Sequence, residues 1–212
     1  MSGVFVTFEG GEGVGKSTQL HRLAARLEAL GVEVVLLREP GGTVLGDRIR
    51  ELLLDPASVG MDAHAELLLY EASRAQLVAE VIRPALDRGA VVLCDRFTDS
   101  TLAYQGGGRG LPTAQIAALN EAATAGLHPD VTVLLDLPLD EGLRRATTNG
   151  ADRLEAEDVA FHERVAAAFL GIAMAEPDRV VVLDASGTAD EVEARVVHAL
   201  AGRLRAVGVP LP

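Results

Sequence analysis

A short glycine-rich run near the start of the chain holds the residues whose types and spacing are best suited to chemistry. Residues 10–17 read GGEGVGKS and match the pattern G-x-x-x-x-G-K-[ST] in full. In such a loop, glycines let the backbone curl until its N–H groups point at phosphate oxygens. The lysine reaches the β- and γ-phosphates of a nucleoside triphosphate, and the serine hydroxyl ligates Mg²⁺. The residues predicted to bind the triphosphate are Gly10, Gly11, Glu12, Gly13, Val14, Gly15, Lys16, Ser17 and Thr18.

The lysine of this loop, Lys16, is the only lysine in the chain, and the other 18 of the 19 basic side chains are arginines. Lysine carries a compact charge on a thin stem, whereas arginine is a planar fork. A site that needs the compact charge explains the exception, although a single residue is also compatible with chance. Because no second lysine exists, the Asn-Lys-x-Asp motif with which GTPases read guanine is absent, and a GTPase switch is excluded.

Three further polar segments carry groups that could handle charge. Two of them, residues 38–43 (REPGGT) and 95–106 (DRFTDSTLAYQG), directly follow short β-branched runs, and the third is 152–155 (DRLE). Tyr70 and Arg74 lie between them, four residues apart and therefore on one face of a predicted helix. Arginine forks and carboxylates in these places suit the recognition of phosphate and of a cation bound to it.

The elements that must position these groups alternate between buried strands and amphipathic helices. Almost wholly apolar runs, typical of parallel strands covered on both faces, predict strands at Val4–Phe8, Val32–Leu37, Ala90–Cys94, Val131–Leu135 and Val180–Leu183. Helical patterns lie at Lys16–Leu30, Val44–Leu54, Ala63–Asp87, Thr113–Ala125, Leu139–Ala146, Ala156–Ala175 and Ala189–Ala206. This order predicts one doubly wound α/β sheet whose ligands bind beyond the carboxyl ends of the strands.

The length of 212 residues fits a single domain over 1–212. Within it, the polar stretch 147–152 lacks a hydrophobic period and is flanked by Arg144, Arg145 and Arg153. We interpret it as a mobile loop between two helices.

Composition limits the partners of this chain. The net charge of −12 argues against nucleic acid and anionic membranes, and no apolar run is long enough to span a bilayer. The single cysteine, Cys94, excludes an internal disulfide and fits a reducing compartment. We therefore expect a cytoplasmic protein with small-molecule partners and no membrane or nucleic-acid partner.

Taken together, three segments resemble the thymidylate kinase family: Glu9–Thr18, Arg38–Thr43 and Asp95–Gly110, of which the last is the most specific. The resemblance covers essentially the whole chain. It implies transfer of the γ-phosphoryl group of ATP to dTMP, giving dTDP, with Mg²⁺ as cofactor. It also implies the P-loop nucleoside-monophosphate-kinase fold, with a five-stranded parallel sheet and helices on both faces, and a homodimer.

The resemblance assigns the transfer chemistry to four residues. Lys16 holds the donor phosphates, and Arg96 contacts both donor and acceptor phosphates. Asp95 holds Mg²⁺ through water, beside the direct ligand Ser17. The loop between Gly10 and Gly15 has no basic residue, so the chain resembles the members in which a mobile lid supplies the charge. The resemblance implies a lid at about residues 144–156, whose closure would exclude water from the reacting phosphate. Arg153 is the catalytic candidate, and Arg144 and Arg145 are the alternatives.

The remaining assignments concern the acceptor. By resemblance, Glu12 faces its 3′-hydroxyl and Arg50 binds its phosphate, although the neighbouring Arg48 leaves the second assignment open. Tyr70 falls where the family stacks an aromatic ring on thymine, and Arg74 falls where it bonds the edge of the base. The residues expected beside the sugar and near the base are Tyr104, Thr101 and Gln105.

Two alternatives remain at this stage. One is another P-loop kinase that acts on a deoxynucleoside or on a different monophosphate. The other is a nucleotide-binding regulatory module without turnover, which should lack one of the charge-handling groups. Lys16, Ser17, Asp95 and Arg96 are all present, and this favours an enzyme.

The lone lysine generates a direct test. We expect Lys16→Arg to remain as inactive as Lys16→Ala, because the guanidinium fork is too bulky for the loop and cannot place a point charge. Steady-state turnover of the two variants beside the wild type measures this. Turnover of Lys16→Arg close to the wild-type rate would show that the site does not require a lysine at this position.

Overall fold

The carboxyl ends of five parallel strands meet at one edge of the sheet that forms the centre of the protein. The computed structural model describes residues 3–146, 153–206 and 208–211. Within these ranges the strand order is β2-β3-β1-β4-β5. The strands are β1 (Val4–Glu9), β2 (Val34–Arg38), β3 (Val91–Asp95), β4 (Val131–Asp136) and β5 (Val180–Asp184). The predicted five-stranded parallel sheet is confirmed.

Helices connect the strands and cover both faces of the sheet. In chain order they are α1 (Lys16–Ala29), α2 (Val44–Leu54), α3 (Ala63–Leu77), α4 (Arg83–Asp87), α5 (Thr98–Thr101), α6 (Thr113–Thr124), α7 (Leu139–Ala146), α8 (Val159–Ala175) and α9 (Ala189–Ala206). Short irregular helical segments lie at Pro56–Ser58, Val78–Ile82 and Leu102–Gly108, and the last two have the wider π-helical winding.

The central strands are apolar because both of their faces are covered. On β1, Val4 and Val6 pack into the cluster formed with α1 and α9, whereas Phe5 between them packs into the cluster formed with α3. This alternation follows from the two-residue period of a strand. Thr7 interrupts the apolar run, and its hydroxyl is paired with that of Thr132 on β4 at 2.7 Å. A buried hydroxyl is tolerated there because it has this partner.

Most predicted helix boundaries agree with the structure, and two differ for identifiable reasons. The predicted helix Ala156–Ala175 begins three residues late, at Val159, because Asp158 caps it by accepting a hydrogen bond from Phe161 N. Residues 98–108, for which no helix was predicted, are helical. Their glycines conceal this in the sequence, since glycine is a weak helix former.

Those glycines allow close packing of α8. A Cβ at Gly107 would lie 2.6 Å from Ala168 Cβ, and one at Gly108 would lie 2.4 Å from the Phe161 ring. The segment Leu102–Gly108 therefore lies directly against α8. Close approach of this kind is a packing reason for glycine within a helix.

The predicted lid loop, residues 147–152, lies outside the described residues. The helix that leads into it, α7, is described and has the predicted bounds. Among the described helices, none is both long and apolar enough to cross a membrane.

Helix α7 lies against the phosphate-binding loop through two glycines. A Cβ at Gly142 would come within 2.6 Å of the Glu12 carbonyl oxygen. A Cβ at Gly13, whose φ is +66°, would come within 2.0 Å of the Gly142 carbonyl oxygen. The start of the lid and the phosphate-binding loop are therefore in backbone contact, and neither position has room for a side chain.

This contact predicts that Gly142→Ala destabilises the protein, by about 1–3 kcal/mol, because the new methyl group must separate α7 from the loop. Gly171→Ala is the matched control. Gly171 is in α8, and a Cβ there meets no atom within 4 Å. That change should stabilise the protein by about 0.5–1 kcal/mol, the ordinary gain of alanine over glycine in a helix. Thermal denaturation of both variants decides, and equal stability would contradict the close contact.

Candidate active site

A cleft of about 450 Å³ opens at the carboxyl ends of β1, β2 and β3. The phosphate-binding loop forms one wall, and α2, α3 and the segment after β3 form the others. The structure brings most of the predicted site residues to this cleft. They are Glu12, Gly13, Gly15, Lys16, Ser17, Thr18, Arg50, Tyr70, Arg74, Asp95, Arg96, Thr101, Tyr104 and Gln105. Of the remaining predictions, Gly10, Gly11 and Val14 line a smaller recess behind the loop.

The phosphate-binding loop has the backbone that its glycines predict. Gly10, Gly13 and Gly15 have φ values of 134°, 66° and 91°, a region that favours glycine. Gly15 directly precedes α1, whose first backbone N–H groups are left for an anion. Lys16 Nζ donates to the carbonyl oxygens of Gly10 and Gly11 at 3.2 and 2.7 Å. Burial and the nearby Arg96 lower the pKa of Lys16 to about 8.

Ser17 and Asp95 meet at the end of β3. The Ser17 hydroxyl donates to a carboxylate oxygen of Asp95 at 2.6 Å. The two groups come from positions 78 residues apart in sequence, and the parallel sheet brings them together. Their oxygens are the hard ligands that Mg²⁺ prefers. The donor chemistry at this point therefore fits the predicted magnesium ligands.

Arg96 crosses from the end of β3 to the phosphate-binding loop. Its backbone is left-handed, with φ at 71°, which is uncommon for a residue with a side chain. Its guanidinium donates to Gly10 O at 3.0 Å, to Ser100 Oγ at 3.1 Å and to Glu12 Oε1 at 2.8 Å. It also lies over the Tyr104 ring, 4.9 Å from the centroid. Arg96 is held on four sides before any ligand binds.

Glu12 is the anionic partner of this arginine. Burial alone would raise the pKa of its carboxyl, but Arg96 and Lys16 outweigh burial and lower the pKa to about 2. The Tyr104 hydroxyl also donates to Glu12 Oε1, at 2.5 Å. Burial raises the pKa of Tyr104 well above its usual value, so the phenol remains a donor. Glu12 is thus an anion throughout the neutral range.

The floor of the acceptor side is built around Arg74, which is 1% exposed. All five of its N–H donors have partners within the protein. These partners are Glu39, Glu71, Asn120, the carbonyl oxygen of Phe97 and Thr101 Oγ1. Burial would lower the pKa of Arg74, but Glu39 and Glu71 outweigh it and raise the pKa. For Arg74 to bond the edge of a base, one of these partners would have to be exchanged.

The other predicted acceptor residues surround this floor. Tyr70, on α3, is half-buried and lines the cleft, and Gln105 Nε2 donates to Glu66 at 2.8 Å. Arg50 lines the cleft and donates to Pro40 O at 3.0 Å, whereas Arg48 is exposed and is not among the described lining residues. The geometry therefore favours Arg50 of the two candidates for an acceptor phosphate.

All three predicted lid arginines lie in the described residues. Arg144 is exposed and is not among the described lining residues, and the other two are placed differently from each other. Arg145, at the end of α7, lines the cleft and pairs with Glu141. Arg153, the candidate favoured from sequence, is buried and is not among the described lining residues. Its Nε donates to Leu53 O at 2.7 Å, and its Nη2 lies 2.7 Å from Glu66 Oε2. Arg153 lies away from the cleft because it pairs with the buried carboxylate of Glu66 on α3. Sequence spacing could not reveal this contact between distant segments.

Glu66 itself collects several donors. Burial would raise the pKa of its carboxyl, but hydrogen bonds from Arg109 and Gln105 outweigh burial and hold the pKa below its usual range. Arg109 reaches both oxygens, at 3.2 and 3.1 Å, and also pairs with Glu157. Glu66 thereby joins α3, the segment after β3 and the chain that follows the lid loop.

Sequence reasoning missed several lining residues. Arg38, Pro40 and Ser100 line the cleft but were not predicted as site residues. Each lies within a segment that was recognised as polar and strand-terminal, so position at a strand end was the available signal. Leu154 and Glu155 also line the cleft. They belong to the polar segment 152–155, which was recognised from the sequence, but neither was predicted individually as a site residue.

A parallel sheet with a phosphate-binding loop, a strand-end aspartate beside the loop serine, and arginines facing the same cleft define a P-loop phosphotransferase. The family model described as Thymidylate kinase matches residues 8–196. The chain belongs to the thymidylate kinase family.

Individual relatives agree along nearly the whole length. A thymidylate kinase of Deinococcus radiodurans is 55% identical over 202 residues, which are 95% of this chain and 98% of the relative. One of Pseudomonas fluorescens is 56% identical over 194 residues, 91% and 92% of the two chains. The crystal structure of thymidylate kinase from Ehrlichia chaffeensis superposes with a TM-score of 0.78 at 36% identity. It covers 94% of this chain and 99% of that one.

The different placement of Arg145 and Arg153 predicts different effects of their removal. Arg145→Ala should lower kcat by about a hundredfold, the usual loss for one group that stabilises charge in the transition state, and leave the melting temperature unchanged. Arg153→Ala should instead lower stability, by up to about 3 kcal/mol, because it breaks a buried ion pair.

Steady-state kinetics and thermal denaturation of both variants separate the two roles. A hundredfold fall in kcat for Arg153→Ala at unchanged stability would contradict the structural placement. It would support the expectation from sequence that Arg153 reaches the transferring phosphoryl group.

Proposed function

We propose that this chain transfers the γ-phosphoryl group of ATP to dTMP, giving dTDP and ADP. The observation that carries the proposal is the family match over residues 8–196, with relatives more than half identical along nearly the whole chain. The cleft supports it, because one wall suits a triphosphate and the opposite wall suits a smaller anionic ligand beside an aromatic ring. The product is a substrate for the next phosphorylation on the way to dTTP.

On the donor side, the loop amides and the start of α1 would hold the ATP phosphates. Without a ligand, the Lys16 ammonium donates to carbonyl oxygens of the loop. Burial lowers the pKa of Lys16, and anionic phosphate oxygens in place of these carbonyls would favour its charged form. Ser17 would ligate Mg²⁺ directly and Asp95 through water, as their 2.6 Å contact supports. Bound Mg²⁺ would neutralise charge on the donor phosphates.

On the acceptor side, the nucleoside would lie between Tyr70 and the floor formed by Arg74, with Thr101 and Gln105 near the base. Arg50 would bind the acceptor phosphate. Tyr104 and Glu12, which are already hydrogen bonded to each other, would lie beside the sugar and its 3′-hydroxyl. A ring beside the sugar leaves little room for a 2′-hydroxyl and would favour deoxyribonucleotides.

The transfer itself needs no general base, because an acceptor phosphate oxygen is already anionic at neutral pH. The difficulty is to hold two polyanions in line, so catalysis is positioning and charge stabilisation. Arg96 is suited to span both phosphates because its guanidinium lies between the loop and the acceptor wall. A lid arginine would meet the charge that spreads over the transferring group.

The wider setting is part of the same proposal. The whole chain would act as one kinase domain with a lid at about 144–156, as a cytoplasmic homodimer without membrane or nucleic-acid partners. Exposed apolar side chains on the neighbouring helices α2 and α3 support a dimer. These are Val44, Leu45, Leu52 and Leu68.

A coupled ADP-release assay with five acceptors tests the function. We expect dTMP to give the highest kcat/KM, ahead of dUMP, dCMP, dGMP and thymidine, and chelation of Mg²⁺ to abolish turnover. The panel needs one control reaction without acceptor, which measures hydrolysis of ATP by water. Absence of turnover with dTMP, together with turnover of another monophosphate, would reject dTMP as the acceptor.

A further inference from the structure

A carboxyl group that does not touch the cleft is bonded to the turn that carries its central arginine. Glu9 is the last residue of β1 and is 0% exposed. Its Oε1 accepts hydrogen bonds from Phe97 N at 2.7 Å and from Ser100 N at 3.3 Å, and its Oε2 accepts from Ser100 Oγ at 2.6 Å. All three donors belong to the chain that follows Arg96.

The backbone of Arg96 needs such support. Arg96 has a φ of 71°, and a residue with a side chain is less stable in this left-handed region than in its ordinary conformations. The amide of Arg96 donates to Phe8 O at 3.0 Å, and the next amide, that of Phe97, donates to Glu9. The last two residues of β1 therefore hold the strained residue on both of its sides.

The side chain of Arg96 is connected to the same carboxyl. Its Nη1 donates to Ser100 Oγ at 3.1 Å, and that hydroxyl donates to Glu9 Oε2. Ser100 can do both because a hydroxyl has one donor and two acceptor sites. Glu9 thus orients the hydroxyl whose lone pair receives the guanidinium.

We infer that Glu9 is a positioning residue for phosphoryl transfer, which fixes both the backbone turn and the guanidinium of Arg96 in the arrangement that spans the two substrates. The inference rests on the proposed function, in which Arg96 contacts donor and acceptor phosphates. Misplacement of a charge-stabilising group by about 1 Å can cost a hundredfold in rate. Glu9 would therefore act on kcat although it touches neither substrate.

A neighbouring carboxylate provides the comparison. Asp99 is equally buried and lies in the same turn, but its two oxygens face away and bind Arg179 at 2.7 and 2.8 Å. Asp99 also accepts a hydrogen bond from Thr132. Loss of the Asp99 carboxylate should therefore lower the stability of the fold without loosening Arg96. A comparison of Asp99 and Glu9 variants separates a loss of stability from a loss of Arg96 positioning.

The expected chemistry of Glu9 selects the substitutions. Burial and the nearby Asp99 raise the pKa of Glu9 to about 8. Glutamine keeps the length of the side chain and the oxygen that accepts from the two amides. Its NH₂ can still bond to Ser100 Oγ, with the direction of that hydrogen bond reversed. Methionine has a similar length and volume but offers no such bonds.

The experiment measures kcat and KM with ATP and dTMP. Glu9→Met should lower kcat by about 30- to 100-fold, in the range for loss of one aligned transition-state group, and change KM for ATP by no more than about threefold. Glu9→Gln should retain kcat within about threefold. Asp99→Asn should lower the melting temperature and leave kcat unchanged.

Two further variants locate the effect. Ser100→Ala should lower kcat by about tenfold at unchanged melting temperature, since it removes the side-chain link alone, and it carries the test if Glu9→Met does not fold. In an Arg96→Ala background, Glu9→Met should have no further effect, because groups that act through one another are not additive. Unchanged kcat in both Glu9→Met and Ser100→Ala would overturn the inference, as would full additivity with Arg96→Ala.

A readout without turnover keeps this inference separate from the proposed function. The NMR signals of the Arg96 Nη protons, assigned by their loss in Arg96→Lys, should exchange with water faster in Glu9→Met than in the wild type and in Asp99→Asn. Failure of the wild type to phosphorylate dTMP would reject the proposed function. Equal exchange in all three proteins would reject the positioning role of Glu9 whatever the substrate is.

Discussion

The pairing of Arg96 with Glu12, at 2.8 Å, joins the phosphate-binding loop to the end of β3, and the arrangement of the cleft depends on it. A chain with a net charge of −12 has to bring two polyanionic substrates together. It does so with a few partly or fully buried cations, of which Arg96 and Arg74 are held by carboxylates of the protein before a ligand arrives. Arg74 between Glu39 and Glu71 repeats the same principle on the acceptor side. Such cations are oriented in advance and need little reorganisation during the reaction.

The sheet makes these pairings possible over long sequence distances. Parallel strands deliver the loop after β1, the arginine after β3 and the polar segment after β2 to one edge, and α3 covers the cleft from the side. Glycines in the loop and in α7 then let backbones approach where side chains would not fit. The electrostatics of the cleft are therefore a consequence of topology combined with close backbone packing.

The strands, most helix bounds and the cleft residues at strand ends were predictable from the sequence, because hydrophobic period and strand-end position are local signals. The helical nature of residues 98–108 was not, since glycines that serve packing against α8 hide the helical pattern. The partners of buried charges were not predictable either. Nothing local indicates that Glu66 binds Arg153, or that all five donors of Arg74 are already used. Such pairings are set by tertiary contacts between distant segments.

The single lysine has a consequence for labelling chemistry. Apart from the chain terminus, Lys16 is the only primary amine, and burial with Arg96 nearby lowers its pKa to about 8. An amine with a lower pKa has a larger unprotonated, nucleophilic fraction near neutrality than an ordinary lysine. An acylating reagent small enough for the cleft would therefore modify one lysine side chain, and the proposed function places that side chain against the triphosphate. A nucleotide bound in the site would then protect Lys16 from acylation. Mass spectrometry of the intact chain would measure this protection as a smaller acylated fraction.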